Sequence, residues 1–137
     1  MTIENRIIQP KIARFALNIQ AKIWSDYDEG EVYASALDKI SNYMLSISRN
    51  DIIPISDIIS VLENDVAGID SVRAWFDADT NNVSIYGDGN YGLDEYGDII
   101  MTRTITDANG QYQTVRDVLP LIRGGFTSKD GVEYSNI

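Results

Sequence analysis

The sequence predicts a small α+β fold, a two-layer sandwich in the order strand-helix-helix-strand, with an added β-hairpin and an extended C-terminal arm. Three observations carry that reading. Residues 13–23 alternate apolar and polar, the pattern of a strand with one buried face. Two later stretches repeat apolar residues at helical spacing, which marks amphipathic helices. A run around Asn109-Gly110 is rich in threonine and β-branched residues, the composition of a hairpin. The 137 residues suit one domain and can bury roughly two-thirds of their unfolded surface. They divide into a module over 1–86 and a second part over 87–137 that holds an acidic glycine-rich loop, the hairpin and the arm.

Met1 to Pro10 is a lead-in, anchored by Ile7-Ile8 and ended by Pro10. In the first strand Ala13, Phe15, Leu17, Ile19, Ala21 and Ile23 share one face, and Arg14, Ala16, Asn18, Gln20, Lys22 and Trp24 share the other. The first set faces a core and the second is mostly solvated. Ser25 to Glu31 is a turn whose acids sit near the positive end of the next helix. That helix runs from about Glu31 to Ser48, with Val32, Ala36, Ile40, Tyr43, Met44 and Ile47 as its apolar stripe. Its tyrosine and methionine fill a core rather than form a cofactor box.

The stretch from Asp51 to Phe76 then supplies a short extended lead-in, a helix, a glycine stop and a strand. Pro54 disfavours helix in the residue before it. Ser56 is the N-cap candidate, with Asp57 in the first turn. Ile58, Ile59, Leu62 and Val66 form the buried stripe, and Gly68 is placed as a left-handed C-cap. Val72, Ala74 and Phe76 alternate with Ser71, Arg73 and Trp75, which makes a half-buried strand. Two successive helices, each reversing the chain, return it beside the first strand.

After Phe76 the composition turns acidic and glycine-rich. Asn81-Asn82, between Trp75-Phe76 and Val83 to Tyr86, suggests a hairpin that continues the sheet. Residues 87–98 are a loop by composition. In the second hairpin, Ile99 to Val118, a two-residue turn would set Arg103 against Arg116, and like charges directly across are unfavourable. A three-residue loop, Ala108-Asn109-Gly110 with Gly110 left-handed, sets Arg103 opposite Val115 instead and is preferred. Pro120 keeps Leu119 to Ile122 out of a central strand. Gly124-Gly125 is a hinge, and beyond it Phe126, Val132 and Tyr134 are anchors for docking the arm on a partner.

Lys+Arg is 11 and Asp+Glu is 21, giving a net charge of -10. That balance argues against nucleic acid and against an anionic membrane surface. With no cysteine and no histidine, disulfides, thiolate chemistry, zinc-cysteine sites and histidine-based triads are excluded. No run approaches the roughly 20 apolar residues of a membrane span, and a soluble cytosolic protein is the default. Asp77, Asp79 and Asn81 are spaced like the first ligands of a calcium loop. The match stops at Asn82, where glycine is required, and at Asp88, where a bidentate glutamate is required. A calcium-dependent binding domain over 77–88 is therefore the rival reading. Carboxylate pairs for glycoside hydrolysis are an empty signal in so acidic a chain. GDGNYG lacks the lysine of a phosphate loop, and Arg123-Gly124-Gly125 reads as a hinge before an anion nest. Trp24 and Trp75 fall on the strand face opposite the core. They make either an apolar contact patch or a second small core beneath the C-terminal hairpin.

The stretches IIQPKIARFALNIQAKIW, VYASALDKISNYMLSI and IPISDIISVLENDVAGIDSVRAWF resemble the C-terminal region of baseplate J-like and baseplate wedge proteins of contractile-tailed phages. The family's V-x-G-[VI]-D-x-V turn is matched by Val66, Gly68, Ile69, Asp70 and Val72, and DVLPLIRGGFTSKDGVEYSN is similar to wedge proteins of the larger myoviruses. The resemblance implies a non-enzymatic structural subunit of the virion's tail baseplate, and the residues themselves lead to no expected cofactor or metal. Its partners would be other wedge subunits and copies of itself; the structural or interface candidates, read from the residues themselves, are Gly68, Trp24, Trp75, Phe126 and Tyr134. Family members are much longer, so the chain is expected to be a small separate subunit or a fragment.

Overall fold

A computed structural model describes residues 11–47, 51–87, 89–127 and 133–134. Among these residues the main sheet has four strands, in the order β3 (Ile69–Ala78), β1 (Lys11–Ile23), β7 (Val118–Thr127) and β8 (Glu133–Tyr134). Strand β1 lies inside it, antiparallel to β3 and parallel to β7, whose far side meets the short β8. Helices α1 (Glu29–Ser46) and α2 (Ile55–Asp65) connect β1 to β3, with the two-residue β2 (Ile52–Ile53) between them. The α+β class and the strand-helix-helix-strand order follow the sequence pattern.

Alternation along β1 selects the core face as expected. Ala13, Phe15, Leu17, Ile19, Ala21 and Ile23 are buried, and they form one cluster with Val32, Ala36 and Ile40 of α1, Ile58 and Leu62 of α2, and Phe76 of β3. Helix α1 begins at Asp28, whose carboxylate accepts from the Glu31 amide at 3.0 Å and satisfies one amide that the first turn leaves unpaired. Between the helices the Tyr43 hydroxyl donates to Asp57. Burial, reinforced by that hydrogen bond and the Asp57 charge, raises the Tyr43 pKa above its ordinary value.

Helix α2 starts differently from the sequence expectation. Ser56 lies inside the helix and Pro54 is the N-cap, with no side-chain cap of its own. The first amide, Ile55 N, instead donates to Asp98 Oδ1 at 2.9 Å. An acid from the glycine-rich segment thus does the capping from 43 residues away, beyond the reach of a local pattern. The same segment is pinned by β4 (Ile99–Ile100), which pairs with β2. At the other end α2 stops at Asp65 with an extended Val66 as C-cap. Gly68 has the expected positive φ, +97°, but it shapes the turn into β3 rather than capping the helix.

The segment after β3 is not a hairpin. Thr80–Asn82 forms a 3-10 turn and Val83–Tyr86 one turn of helix, α3. Asp79 caps the turn by accepting from the Asn81 amide at 2.8 Å. Asn82 is 2% exposed, accepts from Arg14 N, and donates to the carbonyls of Arg14 and Tyr91. Those bonds tie the chain back to β1, which is why Val83 to Tyr86 leaves the sheet despite its strand-like composition.

The second hairpin matches its preferred register. Strands β5 (Arg103–Thr106) and β6 (Tyr112–Val115) pair with Arg103 opposite Val115, and Gly110 has φ +79°. They form a separate two-stranded sheet. Arg103 grips Asp117 with two bonds, at 2.7 and 2.8 Å, and fixes the hairpin base beside β7. The Arg103 hydrogen bond holds the Asp117 carboxyl below its ordinary range. A depressed carboxyl stabilises the fold above its unfolded pKa and loses that contribution as pH falls through the folded value. The urea midpoint should therefore fall on acidification below about pH 4, and Asp117→Asn should flatten that acid limb while costing about 1 kcal/mol at neutral pH. An unchanged pH profile would remove Asp117 from the ledger.

Residues 118–127 are not an extended arm; they form β7 in the sheet. Pro120 is accommodated by ladder phase. Lys11 N donates to the Asp117 carbonyl at 2.8 Å, and in a parallel ladder that phase turns the odd-numbered residues of β7 toward β1. Pro120 sits opposite Ala13 with its nitrogen aimed away from β1, on a side with no strand partner among the described residues, where β8 pairs with Phe126 and Thr127. Proline is tolerated on such an edge. Gly124 is buried opposite Leu17, so it is strand rather than hinge. The lead-in over 1–10 and the anchor Val132 lie outside the described residues.

Candidate interaction surface

Among the described residues two apolar surfaces stand out. The first is a groove of about 450 Å³ between the C-terminal half of α1 and β7. Ile40, Met44 and Leu45 line one wall, Val118, Pro120 and Ile122 the other, and Ile53 and Met101 are also part of its lining. It exists because α2 packs over β3 and α1 lies against α2, so the core side of β7 is left only half covered at Pro120 and Ile122. Leu45 is 76% exposed on its rim. The sequence held a signal for this that the helical stripe passes over, since Leu45 is a large apolar residue off the buried face.

The second surface is the outer face of the sheet. Ile12, Leu119, Leu121 and Trp75 are exposed there. Register places Ile12 beside Leu119 and Arg14 beside Leu121. A depression of about 300 Å³ along this face is bounded by Arg14, Asp77, Leu121 and Arg123. Asp77 accepts from Asn18 Nδ2 at 2.8 Å.

Trp24 and Trp75 are both exposed, at 53% and 39%, so neither sits in a second core beneath the hairpin. They also do not form one patch. Trp75 pairs with Asn18, while Trp24 lies just past the end of β1, about 20 Å further along the strand at 3.3 Å per residue. Gly68 accepts from the Trp24 amide at 2.8 Å. Phe126 and Tyr134 are brought opposite each other by the β7–β8 pairing.

The residues of the proposed calcium loop have separate tasks. Asp77 holds Asn18, Asp79 caps the 3-10 turn, and Asn82 is buried against β1; Asp88 lies outside the described residues. Among the described residues no three acidic side chains are grouped to hold a metal ion, and no helix is long and apolar enough to cross a membrane. No family model matches the chain, and no curated protein matches its sequence.

Proposed function

We propose that this chain is a non-enzymatic structural subunit, or a fragment of one, of the baseplate wedge of a contractile phage tail. It would work by protein–protein assembly with sister wedge subunits and with copies of itself. The observation that carries this reading is the apolar groove between α1 and β7, a surface whose burial would be favourable and whose geometry suits an inserted segment of a neighbour. The sequence resemblance of the strand, helix and Val66-to-Val72 stretches supports the setting.

The reading is tested in particles. Tail particles purified by gradient from cells that express the chain in its own genetic context should contain it at fixed stoichiometry. Leu45→Asp on the groove rim is expected to reduce incorporation strongly, while shifting stability of the isolated chain by no more than about 0.5 kcal/mol, as surface changes do. Absence from particles, or unaltered incorporation of the variant, would reject the groove as an assembly surface.

A further inference from the structure

Strand β3 is the outermost strand of its sheet and has no strand partner on its far side among the described residues. The phase of that open edge is fixed. Asp79 N donates to the Arg14 carbonyl at 3.1 Å, and the register runs unbroken from Phe15–Ala78 to Lys22–Ser71. In an antiparallel ladder the bonded pairs alternate. Ser71, Arg73, Trp75 and Asp77 therefore turn their backbone groups toward β1. Val72, Ala74, Phe76 and Ala78 present theirs to the open side. Such an edge is a template for an added strand.

From this edge we infer that two copies of the chain pair through β3, antiparallel, about a two-fold axis at Trp75. The inference deepens the assembly reading and rests on it for its setting, but it uses a surface separate from the groove. Its support is self-complementarity. With the axis at Trp75, Arg73 of each copy faces Asp77 of the other, and the two indoles meet on the outer face. Ala74 faces Phe76 and Val72 faces Ala78, and these are the residues whose backbone groups point outward, so the ladder phase and the side-chain register agree. Moving the axis to Arg73 or to Asp77 would set like charges opposite each other, which is unfavourable. An axis at Ala74 sets Arg73 against Trp75 and Asp77 against Ser71, and neither charge is paired. The Trp75 axis is the register that pairs both charges within the strand. The result joins two four-stranded sheets into one continuous sheet, with the exposed indole of Trp75 covered by its counterpart.

Sedimentation velocity of the full chain across micromolar to sub-millimolar concentrations tests this. The native chain is expected to show a monomer–dimer equilibrium. Arg73→Asp and Asp77→Arg should each weaken it by about tenfold or more, and the double variant R73D/D77R should restore it. Ala74→Pro removes an amide that points to the open side and takes no bond from β1, so it should abolish the dimer while the circular dichroism spectrum stays native. A chain that stays monomeric throughout, a dimer indifferent to the single charge changes, or a loss that the double variant does not repair would each overturn the β3 axis. A charge-dependent dimer in a chain absent from tail particles would leave this inference standing and reject the assembly reading.

Discussion

A chain that ends at Asp117 should not fold. Strand β7 runs alongside β1 for ten register pairs, Lys11–Val118 through Gln20–Thr127. Its removal would strip β1 of one neighbour along most of its length and leave the amides and carbonyls on that side unpaired. It would also expose the side chains that β7 covers. Val118 is buried and Ile122 packs against the core, and Leu17 lies opposite Gly124. Each fully buried aliphatic side chain is worth about 1.5–3 kcal/mol. Losing Val118 in full and the half-buried Ile122 in part, and partly exposing Leu17 and Phe15, approaches the 5–15 kcal/mol that holds a typical domain together. The truncated chain is expected to show no cooperative thermal transition and to bind a hydrophobic dye. A cooperative melt within a few degrees of the full chain would return residues 118–127 to the status of a peripheral arm.

That expectation reverses what a local reading of Leu119 to Ile122 suggests, and the reason is physical. Proline excludes a residue from a strand only where its nitrogen would have to donate. Which side that nitrogen faces depends on ladder phase, and phase depends on a partner more than one hundred residues away, since Val118 pairs with Lys11. Elements whose information is local were legible. The β1 alternation, the α1 stripe, the β3 alternation and the Arg103–Val115 register all follow from nearby residues, the last from a charge conflict between Arg103 and Arg116. Elements set by distant partners were not. Val83 to Tyr86 has strand composition, yet Asn82 commits it to a helical turn through bonds to Arg14 and Tyr91. Ser56 has cap chemistry, yet Asp98 reaches the first amide of α2 before it. The candidate surface divides the same way. Trp75 is exposed on the face that alternation assigned to it, whereas the groove needs α1 and β7 to be placed side by side, which no single stretch encodes.

Gly68→Ala should lower stability by about 2–5 kcal/mol, from two separable causes. The first is backbone. Gly68 has φ +97°, where a side chain costs about 1–2 kcal/mol. The second is space. A Cβ at this position would lie 2.7 Å from Tyr27 Cγ, 2.8 Å from Tyr27 Cδ1 and 2.9 Å from Val32 Cγ2. Tyr27 belongs to the turn between β1 and α1, and its ring would be struck at its root, so it must swing away as a whole. Val32 is buried at the start of α1 and has little room to yield; overpacking of this kind costs about 1–3 kcal/mol. The turn is further constrained because Gly68 O accepts from Trp24 N, so relaxing the glycine's backbone would break the link that holds β1 to the start of β3. A double-mutant cycle separates the causes. In a Tyr27→Ala background the Gly68→Ala penalty should drop by about 1 kcal/mol or more as the ring collision disappears, leaving the backbone part and the Val32 contact. Chemical denaturation of the four proteins gives each value directly. A Gly68→Ala midpoint equal to that of the native chain would reject both causes, and an identical penalty in the two backgrounds would assign the cost to the backbone and Val32 without Tyr27.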